Sequence, residues 1–340
     1  MITLFNKIYV KTKDFLKKNY LYIIGFIIGI VLATYELPYY IDAPGGVIDV
    51  SSKIEIDDSY DVSGSFNMAY VSEYKATLPI LLIAKFNKDW NIQKKSDVLG
   101  KTETDKDAYI RDHLMLEEAN QNAVIYAYQK AGKEVNLSNT KVYAIYIYDE
   151  ARTDLKVGDQ ILEVNDIKID NKQMLVKEVH KYNVGDILKI KVINDGKEYV
   201  RTAEIVDVDG MKLIGIMLCQ ISDYEVNPNI KINYSKSESG PSGGLLMSLS
   251  IYNYLTEEDI THGKKIAGTG TIDEMGNVGS IGGVEYKIKG AVKAKIKYFL
   301  VPAGENYEEA MKIKKENNYD IEIVPIKHFD DALEYLRSIG

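Results

Sequence analysis

The run YLYIIGFIIGIVLATY, Tyr20 to Tyr35, carries no charge and decides the first question about this chain. At about 1.5 Å per helical residue it reaches roughly 24 Å, a little short of a hydrocarbon core. Its terminal tyrosines, with Lys17 and Lys18 before it, supply the interfacial ends that complete a crossing, and Glu36 bounds the other side. Residues 1–19 hold Lys7, Lys11, Lys13, Lys17 and Lys18 against Asp14, a net of +4; the whole chain carries −8, so the remainder carries −12. This bias predicts a cytoplasmic tail over 1–19, an anchor over 20–37 and the bulk of the chain outside the cytoplasm. A cleavable signal peptide is the competing reading, but no A-x-A-like site follows the apolar run. The expectation is a single-pass protein of the cell membrane, held in the lipid bilayer by an uncleaved anchor.

With 340 residues, 46% of them hydrophobic and 27% charged, the chain has room for two globular domains with cores of their own. An isoelectric point near 5.3 excludes nucleic acid as the main partner, because phosphate binding needs a basic face. The single cysteine, Cys219, cannot form an intrachain disulfide and reads as a small core residue. GKT at 100–102 is not a phosphate-binding loop, since that motif needs glycine at 95 and Lys95 stands there. No nucleotide, cofactor or metal is therefore expected.

Beyond the anchor, ELPYYIDAPGG reads as an extended exit segment turning at Pro44, Gly45 and Gly46. GSFNMAYVSEY, 64–74, is strand-like, while PILLIAKF, 79–86, is apolar and ambiguous between strand and helix. Residues 107–132 have long helical runs closed by Gly132. Residues 141–207 are a β-rich unit: KVYAIYIYDE, then LKVGDQILEVNDIKI after a Gly158-Asp159 turn, then a hairpin turning at Asp195-Gly196. NKQMLVKEVHKY between them is a short helix. Residues 64–74 have no strand partner before Lys141, so they are expected to pair with strands after residue 210, making the β-rich unit an insertion.

Two stretches carry chemistry. In SKSESGPSGGLLMSLSIYNYL, Gly240, Pro241, Gly243 and Gly244 surround Ser242, and Leu245, Leu246, Leu249 and Tyr252 then recur at helical spacing. Proline fixes the local backbone and glycines free it, which presents one hydroxyl at a tight bend beside the N–H groups of a starting helix. A plain helix N-cap is the other reading of such a serine. Downstream, IAGTGTIDEMGNVGSIGGVEYKIKGAVKAKIKYFLVPAGEN reads strand, hairpin, Gly-rich turn, helix, strand. On a helix beginning near Val284, the apolar face is Val284, Ile288, Ala291 and Val292; Lys287 falls at its edge, whereas Lys289 and Lys293 fall opposite. A lysine on an apolar side must snorkel, pair or lose its proton.

The unit at 141–207 resembles a PDZ domain of the bacterial protease-associated type, above all in LKVGDQILEVNDIKI; the glycine usual in the carboxylate-binding loop is replaced near Tyr143 and Ala144. PDZ domains bind extended peptides by adding a strand to a sheet edge. Together, GPSGG and TGTI…GSIGGVEYK resemble the peptidase domain of Lon proteases, and nearly the whole chain is similar to the membrane-anchored, ATP-independent Lon-like proteases with a PDZ domain found in Gram-positive bacteria. The implied fold is α+β: a Lon-type peptidase domain with an inserted PDZ-like β domain, after one N-terminal transmembrane helix. The implied boundaries are tail 1–19, anchor 20–37, membrane-proximal segment and first part of the peptidase domain 38–140, PDZ-like domain 141–207, and peptidase domain 208–340. The resemblance implies a serine endopeptidase acting on extracytoplasmic peptides or proteins, with Ser242 as nucleophile, Lys287 as general base and Thr269 as a hydroxyl orienting the lysine. Gly240, Pro241 and Gly243 support the bend. Gly243 stands where the family more often has alanine, Ser239 where Lon itself has aspartate, and Lys295 where glycine is usual. An oligomer is compatible with this reading.

The chemistry is self-consistent. Serine attacks an amide only when a base takes its proton, and lysine serves only if neutral near pH 7. Moving its pKa from about 10.4 to about 7.5 costs roughly 4 kcal/mol, which burial can impose. Backbone N–H groups around Ser242 and the positive helix end would hold the oxyanion. Two readings compete: a Ser-His-acid hydrolase recruiting His113, His180, His262 or His328, and a non-catalytic membrane scaffold that binds peptide tails.

Overall fold

The computed structural model describes residues 2–340; Met1, the first residue of the expected tail, lies outside the described residues. Two compact units emerge, Met1–Ala43 with Ser72–Val98, and Pro44–Val71 with Leu99–Gly340.

In the first unit, helix α1 (Ile2–Thr34) carries the expected apolar run back through the lysines. Its segment Ile8–Thr34 is long and apolar enough to cross a membrane, and none of it is buried against protein. Pro38 explains why the helix stops where it does, because proline disfavours helical backbone in the residue before it. Leu37 instead donates its N–H to the Ala76 carbonyl at 2.7 Å, and the chain enters the strand Tyr39–Asp49. The ambiguous run is helix α2 (Leu78–Phe86), with Pro79 in its first turn, where a missing N–H costs nothing. Ala84, Ile80 and Leu81 pack on Ile41, Ala76, Leu37 and Trp90. Strand Asn91–Lys94 pairs antiparallel with Tyr39–Asp42, and one turn of helix, α3 (Lys95–Val98), follows.

The second unit opens with α4 (Asp105–Lys130), started by a Thr104–Asp107 capping box and closed by Gly132 in the left-handed region. A β-rich sheet follows in the order Ile216–Val226, Val135–Ile147, Gln160–Val164, Ile187–Asn194, Lys197–Glu204. Asp195 and Gly196, both at positive φ, make its hairpin turn. Helix α5 (Lys172–Val179) covers one face, over a core of Val142, Ile161, Leu175, Leu188 and Ile190. The sheet thus reaches from Val135 to Val226, taking in a long strand beyond residue 207.

The remaining chain supplies α6 (Gly244–Leu255), α7 (Val284–Lys293), α8 (Glu305–Asn317) and α9 (Phe329–Ser338). They accompany a parallel array, Glu322–Ile326 beside Tyr298–Pro302 beside Lys265–Gly268 beside Ser65–Lys75. The last pairing runs from Lys265 opposite Ser65 to Gly268 opposite Met68, so the β-rich unit interrupts a sheet whose strands lie on both sides of it in sequence. Helix α6, mostly apolar but for the buried Ser248, Ser250 and Asn253, is covered on nearly every side among Val124 and Tyr128 of α4, Ile266, Leu300 and Phe329.

Candidate active site

The bend before α6 is built as the glycines and proline require. Gly240 adopts φ +83°, a conformation that favours glycine, and donates its N–H to the Asp112 carbonyl of α4 at 3.0 Å. Gly244 closes the turn by donating to the Pro241 carbonyl at 3.2 Å. The cap position of α6 falls to Gly243, with no side chain capping the helix. The Ser242 hydroxyl, half-buried, is therefore not employed as a helix cap.

Two backbone bonds zip this bend to the TGT strand end. Gly270 donates to the Ser242 carbonyl at 2.8 Å, and Leu245 donates to the Gly270 carbonyl at 3.1 Å. Thr269 is fully buried between them, its own N–H held by Leu300. Its hydroxyl donates to the Ser242 carbonyl at 3.1 Å and accepts from Lys287 Nζ at 3.1 Å. A continuous line of hydrogen bonds thus runs from the lysine amine through Thr269 to the serine backbone. The two proposed dyad members meet through this relay rather than by a direct bond, and such contacts commonly tighten only when substrate arrives.

Lys287 faces inward from α7 among Val284, Ile288 and Ala291 and is 3% exposed. Among the described residues no carboxylate pairs with it. Burial without a counter-charge pushes the ammonium down from 10.5 to about 8. Helix α7 can lie this close to the strand it covers because Gly290 meets Gly46: a β-carbon there would sit 3.2 Å from the Gly46 backbone. Gly283, at φ +70°, starts the helix. Lys293 is exposed as expected, whereas Lys289 is largely covered and is paired with Glu285 at 2.6 Å.

The family departures have local causes. A β-carbon at position 243 would lie 2.5 Å from Met68 Sδ, so the bulkier Met68 side chain takes the space alanine would fill. Lys295 sits at φ +59°, the left-handed region in which glycine is the easier residue.

The four histidines are engaged elsewhere. His113 bonds the Tyr109 carbonyl on its own helix at 2.8 Å, and His180 ends α5. His262 lies exposed in a turn at φ +48°. His328 caps α9, accepting at Nδ1 from the Asp330 N–H and donating from Nε2 to the Met275 carbonyl.

A second concavity lies in the β-rich unit, between Leu175, Val176, Val179 and His180 of α5 and the segment Leu213–Ile216. Gly215 there has φ +70°, and a β-carbon would collide with Ala151 at 2.6 Å. Tyr143 and Ala144 lie instead within the sheet, opposite Cys219 and Leu218. The glycine-bearing loop at the groove is thus Leu213-Ile214-Gly215-Ile216, which sequence reading passed over. Its signal was a lone glycine among apolar residues just after the Asp209-Gly210 turn.

The site thus combines, in an α+β setting, a serine bend at a helix start with a buried, uncompensated lysine. Residues 229–338 match the Lon protease (S16) C-terminal proteolytic domain. Relatives include the Lon protease of Campylobacter jejuni, 31% identical over 193 residues, covering 53% of this chain and 22% of that protein. The Lon protease of Xanthomonas oryzae is 28% identical over 179 residues, covering 53% of this chain and 19% of that one. The chain thus spans about a fifth of the length of these curated relatives. Among solved structures, the PDZ domain of an SdrC-like protein from Listeria monocytogenes is 25% identical, with 24% of this chain and 92% of that one covered at a TM-score of 0.22.

Proposed function

We propose that this chain is a membrane-anchored serine endopeptidase, working without ATP on extracytoplasmic peptides or proteins through a Ser242–Lys287 dyad. The observation that carries the reading is the buried Lys287 amine, free of any acidic partner among the described residues and hydrogen-bonded to Thr269 beside Ser242. In the proposed cycle Lys287 Nζ takes the Ser242 proton as Oγ bonds to the scissile carbonyl carbon. Backbone N–H groups around Ser242 hold the resulting oxyanion. Its collapse breaks the C–N bond, and Lys287 returns the proton to the leaving amine, leaving an ester on Ser242. Water then attacks that ester, giving its proton to Lys287, and Oγ leaves with that proton restored.

The domain organisation proposed is a peptidase domain interrupted by a PDZ-like unit, after a cytoplasmic tail and one membrane crossing. In this reading the groove beside Leu213–Ile216 and α5 selects substrates by pairing an extended peptide against the strand Ile216–Val226, an edge of its sheet.

The test is covalent labelling by an active-site serine probe. Wild-type protein should be labelled at Ser242 and Ser242→Ala should not; unchanged labelling at another serine would overturn the assignment. Protease added outside intact protoplasts should digest the chain beyond residue 37 and spare the tail.

A further inference from the structure

Helix α2 has a face that no water-soluble domain needs. Ile80, Leu81 and Ala84 point into the core of the first unit, yet the outward arc of Leu78, Pro79, Leu82, Ile83 and Phe86 is apolar throughout. Leu82, Ile83 and Phe86 are 51%, 56% and 86% exposed. Single exposed apolar residues are ordinary, but a surface helix normally turns polar residues outward, and one that is apolar all round is buried in protein or lipid. Lys85, at the rim, is the helix's one charge.

The place of this helix in its own unit says what covers it. Helix α1 ends at Thr34, and the chain leaving it is bonded at once to the residues that precede α2. Leu37 donates to Ala76 at 2.7 Å and Ala76 donates to Tyr39 at 3.0 Å, while α2 begins two residues later at Leu78. At about 3.5 Å per extended residue that leaves less than one turn of chain to carry α2 away from the end of α1. The two helices pack on each other. Aromatic residues flank the two helices in the chain: Tyr35, exposed, follows α1, and Tyr74 and Trp90, on either side of α2, stack with ring centroids 5.7 Å apart. Tyrosine and tryptophan prefer the headgroup level of a bilayer, where a ring has an apolar body and a polar edge to satisfy.

We propose that the outer face of α2 is seated in the headgroup and acyl boundary of the bilayer that α1 crosses, a second and interfacial contact of the first unit with the membrane. The proposal rests on the reading of α1 as a membrane anchor.

The test uses the full chain in vesicles of phosphatidylcholine and phosphatidylglycerol, with an environment-sensitive fluorophore on single introduced cysteines; the native Cys219 is buried. Labels go on Phe86→Cys and Leu82→Cys in α2, on Phe26→Cys within α1, and on the exposed Glu257→Cys. A spin quencher attached to lipid should remove most of the emission at the α2 and α1 positions and little at Glu257, with aqueous iodide giving the converse. If Phe26 is quenched from lipid while both α2 labels respond to iodide as Glu257 does, the proposal is overturned and the anchor stands. If none of the three is quenched from lipid, the anchor reading fails and takes the proposal with it. If the α2 labels are shielded from both quenchers, protein covers the face, for example a second copy, and the proposal is overturned.

Discussion

The β-rich unit and the region matching the Lon proteolytic domain each bury an ionisable side chain, and they treat it in opposite ways. Asp159, wholly buried, receives Arg201 Nε at 3.1 Å, Asn194 Nδ2 at 2.6 Å and the Lys156 N–H at 2.9 Å, so its charge is compensated and its lone pairs are used. Lys287 is nearly as buried, yet among the described residues its amine is partnered by a neutral hydroxyl and no carboxylate. A buried charge that is paired and bonded maintains structure; one left uncompensated costs free energy and shifts its proton instead. The contrast separates a fastening from a reagent, and substitutions at the two places should have unlike consequences.

The largest effect is expected at the lysine. Lys287→Ala should lower the rate of peptide cleavage by about 10³-fold or more, as completely as Ser242→Ala, with the double variant no worse, because residues acting as one unit are not additive. Steady-state rates on a fluorogenic peptide, with circular dichroism to show the fold retained, would check this. Near-normal cleavage would erase the distinction between the two buried groups. Arg201→Ala should do the reverse: it strands Asp159 and costs about 3–5 kcal/mol in thermal unfolding of the β-rich unit, while short peptides are still cut.

Much of this was legible beforehand, and the gaps have physical reasons. Ser242 and Lys287 stood out because backbone-controlling residues and helical phase are local properties of the chain, whereas Thr269 was named only through the resemblance to Lon proteases. The strand at 64–74 was expected to find no partner before Lys141; it lies between Tyr39–Asp49 on one side and Lys265–Gly268 on the other, so the distant pairing is present although the elimination behind it does not hold. Helix α2 stayed ambiguous since nine residues with Lys85 as the single polar one have no polar face to reveal a period. The glycine at the groove, Gly215, was not legible because the strand Ile216–Val226 joins Val135–Ile147 at long range, from Ile216 opposite Ile147 to Val226 opposite Val135, a pairing no local pattern records. Lys289 was assigned to the far side from its angle alone; its side chain is largely covered and pairs with Glu285 one turn earlier.

Stability should carry the mark of the uncompensated amine. In the unfolded chain the lysine titrates near 10.5, and in the folded one near 8. Between these values the unfolded state binds more protons, so stability rises with pH across that window, and below about 8 the penalty is fully present. At about 1.4 kcal/mol per pH unit the penalty is on the order of 3 kcal/mol. Lys287→Met should therefore unfold at higher temperature than wild type at pH 7, and the advantage should fade toward pH 10.5. Cleavage by the wild type should run the same way, rising with pH through about 8 as the amine loses its proton. An advantage that does not change with pH would mean that the amine is not perturbed. A smaller loss is expected at the relay: Thr269→Val removes the hydroxyl that receives Lys287, at roughly 10-fold to 10²-fold in rate, with Thr269→Ser restoring most of it.

The smallest effect should fall two residues from the largest. Lys289 shares α7 with Lys287 and is also partly covered, so burial alone does not tell them apart. What differs is the partner: Glu285, half-exposed and one turn earlier, holds Lys289 in an i,i+4 pair at 2.6 Å. Such a pair contributes about 0.3–0.5 kcal/mol, and alanine at a helical position returns part of that through its propensity. Lys289→Ala should thus change cleavage by less than about 3-fold and barely move the unfolding temperature. The comparison is sharp because the two variants remove the same chemical group from the same helix. Equal losses of activity would mean that α7 as a whole, and not the Lys287 amine, is what cleavage requires; a loss confined to Lys287 leaves the uncompensated amine as the group that acts on Ser242.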